Sequence, residues 1–140
     1  MIFLDYNLYI GGDMKKENFG EDTKIIWTDK KRYFGMPISF TRYSLVEKEG
    51  SWIKLFLDAG FLSTRHEEVL VYRIFDISVR QTLGDKIFNV GSLYLYCKDE
   101  SMEYFNIIRV KNPFKVRDII SDYIEKEREE KGFRIGEFHG

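Results

Sequence analysis

The hydrophobic period of this chain changes once, at Asn112–Pro113, and nothing else in the sequence constrains the fold as much. Before that point apolar residues recur at every second position in short runs. In Trp52–Asp58, Ile53, Leu55 and Leu57 share one face; in Asp76–Leu83, Ile77, Val79 and Leu83 do so, with Ser78, Arg80 and Thr82 opposite. This is the pattern of half-buried antiparallel strands. Leu93–Cys97 alternates Leu with Tyr, Tyr104–Val110 reads as the last strand, and Phe40–Glu47 and Ser63–Ile74 are rich in β-formers. Glu49–Gly50–Ser51 is a hairpin turn signal, and Gly84–Asp85 opens a loop that closes near Gly91. After Asn112, a capping residue, and Pro113, suited to a first helical position, Val116, Ile119, Ile120, Tyr123 and Ile124 follow a helical stripe that Gly132 can stop. Asp122→Lys126 and Glu127→Lys131 are favourable pairs on the other face. The reading is mainly β with one C-terminal α-helix: an antiparallel sandwich or open barrel of six or seven strands, capped by the helix.

The chain has 140 residues, room for one domain, and 16% aromatic residues can fill its core. Residues 1–24 read as an N-terminal arm or hairpin, 25–132 as the domain and 133–140 as a short tail. The net charge is -1, and 1–35, 36–111 and 112–140 carry six and six, ten and ten, and six and seven basic and acidic residues. That balance excludes a basic nucleic-acid arm. One cysteine, Cys97, and two histidines support neither a disulfide nor a cysteine-based metal site. The longest uncharged stretch, Ile87–Cys97, is eleven residues, against about 20 for a membrane span. With no leader visible, the expected setting is cytoplasmic or membrane-peripheral, with no cofactor.

Certain segments resemble the bacterial pleckstrin-homology-like (PH-like) domains. They are Gly35-Met36-Pro37-Ile38-Ser39-Phe40-Thr41-Arg42-Tyr43, Gly60-Phe61-Leu62, Glu68 through Ile77, Gly91-Ser92-Leu93 and Ile108-Arg109-Val110-Lys111-Asn112-Pro113. The likeness runs from about Trp27 to Lys131. It implies a PH-like sandwich with a C-terminal helix and no enzyme, since the family offers no catalytic motif to carry over.

The densest basic spot is Lys30-Lys31-Arg32, followed by Tyr33 and Phe34. Cations beside rings suit an anionic surface, at about 1 kcal/mol per charge; a solvated edge is the plainer reading. Arg73 and Asp76 are a candidate structural pair, with Arg73 alternatively gripping an anion. Phe88, in the Gly84–Gly91 loop, is a candidate partner-facing ring. His66-Glu67-Glu68 reads as a polar turn or edge rather than an acid–base or metal cluster, and Cys97 as a buried thiol. The hairpin Glu47-Lys48-Glu49-Gly50, taken as the first strand connection, is acidic and argues against phosphoinositide recognition. The leading expectation is a non-catalytic module for protein association or self-assembly. The alternatives are a peripheral anionic-lipid-binding module, and a small-ligand carrier or enzyme.

Overall fold

The computed structural model describes Phe19, residues 22–99 and residues 101–139; of Asp99 and residues 132–139 it describes the backbone alone. The expected arm therefore lies outside the described residues except for Phe19 and Asp22–Lys24. The protein is mainly β, with two antiparallel sheets and a C-terminal helix. The first sheet holds β1 (Thr23–Lys30), β2 (Thr41–Lys48), β3 (Trp52–Ala59) and β4 (Arg65–Leu70) in sequential order. The second holds β5 (Ile74–Arg80), β6 (Val90–Asp99) and β7 (Met102–Lys111). A short helix, α1 (Leu83–Ile87), lies in the β5–β6 connection, and α2 (Pro113–His139) follows β7. Both sheets are open, and the helix caps the sandwich.

The alternating residues fill one core. Ile53, Leu55 and Leu57 of β3 and Leu93, Leu95 and Cys97 of β6 are buried in it with Val116, Ile120 and Ile124 of α2. Ile119 and Tyr123 pack at its border, so the helical stripe lies where the period places it. The Glu127–Lys131 pair forms at 3.7 Å, whereas Lys126 reaches across to Glu47 of β2 at 3.8 Å.

Five local expectations are corrected. The run after Val69 does not stay extended: Val71–Arg73 forms a 3-10 turn that hands the chain from one sheet to the other. The Gly84 loop contains α1, because Thr82 and Asp85 form a reciprocal capping box. Leu83 therefore belongs to that helix and is exposed, not aligned with Ile77 and Val79. Asn112 starts α2 through its carbonyl, which accepts from the Val116 N–H at 3.1 Å, while its side chain binds Asn89. Finally, α2 runs past Gly132, where a glycine weakens a helix by about 1 kcal/mol without forcing it to end.

The two sheets are tied at one corner by a buried ion pair. The Asp29 carboxylate at the end of β1 accepts from the Arg32 guanidinium at 3.1 Å and from the Lys111 N–H of β7 at 2.9 Å. Arg32 also donates to the Gly35 carbonyl at 2.8 Å, and its own N–H donates to the Arg109 carbonyl at 2.8 Å. Arg109 sits in a β7 bulge at φ 50, and its guanidinium returns a bond to the Arg32 carbonyl at 3.2 Å. Nearby, the buried Tyr43 hydroxyl accepts from the Ile108 N–H at 3.1 Å, and burial raises its pKa. Asp29→Ala strands Arg32 as an uncompensated buried charge. It is expected to lower unfolding stability by about 3 kcal/mol, read as a drop in the urea midpoint.

Candidate functional site

The antiparallel registers put four connections at one end of the molecule. Lys30 pairs with Arg42, Thr41 with Ala59, and Ala59 with Arg65, so the β1–β2 and β3–β4 loops lie side by side. Arg80 pairs with Ser92 and Val90 with Lys111, which brings in the β5–β6 connection and the start of α2. The Asp29–Lys111 bond joins the two groups.

This end is both apolar and basic. Phe34, Phe61 and Leu62 are 76%, 75% and 93% exposed, and Met36, Ile38, Phe40, Leu83 and Ile87 also face solvent. Phe40 stacks on Phe61 at 4.8 Å, coupling two loops, and Phe34 meets Phe88 edge-on at 6.2 Å, coupling a third. Taken from the last residue of one element to the first of the next, the four connections (30–41, 59–65, 80–90 and 111–113) hold seven basic residues and one acidic. The rest of the chain holds fifteen basic and twenty-two acidic. Just outside these bounds stand Arg109, Lys115 and Arg117, together with Asp29, which neutralises Arg32, and Asp118, which pairs with Arg117 at 3.0 Å.

Local geometry holds the tips out. Tyr33 and Met36 bond reciprocally at 3.0 and 2.9 Å around Phe34 at φ 53 and Gly35 at φ 81, a two-residue turn with both central residues left-handed. Glycine suits that conformation; a phenylalanine in it costs roughly 1–2 kcal/mol. The β3–β4 loop turns at Gly60, φ 152, where a Cβ would lie 2.1 Å from the Ser63 carbonyl oxygen. Behind the first tip, Lys31 Nζ lies 5.4 Å and the Arg109 guanidinium 5.0 Å from the Tyr33 ring centre. Lys31 first, and Arg109 after it, lower the Tyr33 phenol below its ordinary pKa.

The sequence candidates separate here. Lys31, Tyr33, Phe34 and Phe88 come together at this end, whereas Arg32 is 5% exposed and serves the Asp29 pair rather than the surface. Lys30 is half-buried at the end of β1. Arg73 lies over the Tyr72 ring at 5.8 Å and Asp76 accepts from the Ile77 N–H at 3.0 Å; among the described residues the two form no ion pair with each other. The acidic Glu47–Gly50 hairpin joins β2 to β3 and is the second strand connection, so it has no bearing on the first, where Lys31 and Arg32 stand.

His66 is better connected than its neighbours suggest. It shares a face with Glu68, and its cross-strand partner is Asp58. Its Nδ1 meets Asp58 at 2.6 Å and its Nε2 meets Glu68 at 3.0 Å, while Lys54 bonds Glu68 at 2.9 Å. The carboxylates, Asp58 foremost, raise the His66 pKa, and His66 in turn lowers that of Glu68. Asp58 was the missing member, because pairing across a hairpin is visible only once the register is known.

Comparison of the chain with protein-family models, curated proteins and solved structures returned no match.

Two outcomes follow. Phe34→Asn is expected to raise unfolding stability by up to about 1 kcal/mol in urea denaturation, because Asn accepts the left-handed conformation that strains Phe. In an NMR titration, His66 is expected to titrate above the ordinary 6.5, and Asp58→Asn to return it toward that value. Because the folded pKa is raised, His66 contributes stability in full below about pH 6.5 and loses it as pH rises through the folded pKa.

Proposed function

We propose that this chain is a non-catalytic, PH-like binding module that docks on an anionic membrane surface with its loop end. One observation carries the reading: the most exposed large apolar side chains, on separate loops, stand on the end where the fold concentrates positive charge. Such tips can enter the headgroup region individually, each worth about 1.5–3 kcal/mol if fully buried. Each nearby Lys or Arg adds about 1 kcal/mol of attraction to anionic lipid. Among the described residues no helix is long and apolar enough to cross a membrane, so the mode proposed is peripheral.

The protein-association reading draws on the same end, since large exposed rings also mark protein interfaces. Charge favours the lipid surface, because a continuous anionic plane engages several basic loops at once. The small-ligand reading has a cleft of about 430 Å³ on the outer face of the first sheet, between Phe19, Trp52, Lys54, Phe56, Asp58, His66 and Glu68, whose polar groups are already engaged with one another.

Sedimentation with phosphatidylcholine vesicles, with and without phosphatidylserine, tests the proposal. Binding is expected to the anionic vesicles at low salt and to weaken toward about 0.15 M salt, where the screening length falls to about 8 Å. Phe61→Ser with Leu62→Ser is expected to reduce binding at least about tenfold, a loss near 1.4 kcal/mol. No binding at low salt would exclude the lipid reading and leave a protein partner.

A further inference from the structure

The second sheet ends at β5, which pairs with β6 alone among the described strands. In an antiparallel ladder the backbone groups of successive residues point to alternate sides. The Ile77 N–H donates to the Asp76 carboxylate at 3.0 Å rather than to β6, so Ile77 and, two residues on, Val79 turn their backbone groups to the free edge. Their side chains pack at the border of the core, while Asp76, Ser78 and Arg80 stand exposed on the outer face. Beside this edge lies a groove of about 290 Å³, in which α2 sets Arg117, Ser121, Ile124 and Glu125 opposite Asp76 and Ile77.

Charges on an edge strand ordinarily block pairing, because like charges meet or polar groups lose water. On β4, the last strand of the first sheet, such charges are used within the copy: Arg65 pairs with Glu67 at 2.7 Å, and His66 meets Asp58 and Glu68. On β5 they are not. Among the described residues Asp76 bonds only the Ile77 N–H, and Arg80 lies 5.5 Å from the Tyr94 ring centre with no carboxylate partner. Asp76 and Arg80 flank Ser78 symmetrically, one on each side at the same spacing. On the α2 wall of the groove, Arg117 and Glu125 flank Ser121 in the same way, one turn to either side. An edge built like this is complementary to itself after a twofold rotation.

We infer that β5 pairs with β5 of a second copy of this chain, antiparallel about a twofold axis at Ser78. In that register Ile77 and Val79 of the partner subunit exchange both backbone bonds, and the axis repeats the exchange. Asp76 then stands opposite Arg80 of the partner subunit on the outer face, in the close kind of pair that makes no backbone bonds. No other antiparallel register does this: centred at Ile77 it sets Asp76 against Ser78, and centred at Val79 against Thr82. The Ile77 N–H passes from its own Asp76 to the partner's Val79 carbonyl, and the freed carboxylate meets the partner's Arg80. Because the strands run antiparallel, the two loop ends face away from each other. The pairing draws Arg80 from the loop end and leaves its apolar tips uncovered, and it does not rest on the lipid reading. One strand pair is a small interface, so the association depends on concentration.

The test is sedimentation equilibrium of the full chain, without lipid, at concentrations up to about 1 mM. A monomer–dimer equilibrium is expected. Asp76→Arg alone and Arg80→Asp alone are each expected to raise the dissociation constant at least about tenfold, with the far-ultraviolet dichroism unchanged. The two substitutions together are expected to restore dimerisation, because the charges are then exchanged; a loss of the Asp76 bond to Ile77 would not be repaired in this way. An independent readout places Cys at Ser78, on the axis, where the facing Cα atoms lie about 4.5 Å apart and a disulfide can close. Under a mild oxidant Ser78→Cys is expected to give a covalent dimer faster than Asn106→Cys, an exposed position on the same sheet. A chain that stays monomeric to about 1 mM overturns the inference. So does a dimer that neither single substitution weakens, or that the pair of substitutions fails to restore, since its interface then lies elsewhere. Equal rates of disulfide formation at the two positions also overturn it.

Discussion

The buried pair between Asp29 and Arg32 is the interaction on which the rest of this structure depends. It closes the corner where β1 leaves the first sheet and β7 ends the second, through bonds to the Lys111 N–H and the Gly35 carbonyl. Two charges removed from water are stable only when each finds its counter-charge and its remaining bonds are met. Arg32 meets that condition by holding the turn that carries Phe34. The corner that joins the sheets thereby also sets the position of one of the exposed apolar tips. Arg109, in its bulge, adds a second tie and leaves its guanidinium over Tyr33.

From that corner the chemistry of the loop end follows. Strand register gathers connections that are distant in sequence, and with them seven basic residues against one acidic; of the seven, Arg32 is neutralised by the neighbouring Asp29. The tips are held by local devices: a strained turn at Phe34, a glycine at position 60 that no Cβ could replace, and ring contacts between loops. Strain in Phe34 is a cost to the fold that an Asn or Gly would avoid, and retaining it makes sense where the ring is used.

The fold was legible because its information is local. Alternation at Ile53, Leu55 and Leu57 and the helical stripe from Val116 to Ile124 report burial directly, and both lie in the core. What escaped the sequence depends on pairing. Lys30-Lys31-Arg32 reads as a basic surface run until Asp29, three residues before Arg32, is seen to bury that arginine with β7. The charge asymmetry was invisible because every long segment is nearly neutral, and the fold sorts the charges between ends. Asp58 joined His66 only through the β3–β4 register. The capping box at Thr82 and Asp85 is the exception: its spacing was present in the sequence, masked by the glycine between them.

The central claim is an orientation, with the loop end toward an anionic membrane and the β2–β3 hairpin away from it. The most direct measurement is fluorescence of Phe61→Trp on anionic vesicles whose acyl chains carry bromine. Trp27 and Trp52 serve as internal references, Trp27 packed against the core and Trp52 at the far end of β3. The account predicts strong quenching in the variant beyond that of the wild-type protein. Equal quenching in the two, or none on vesicles to which the protein binds, would contradict it.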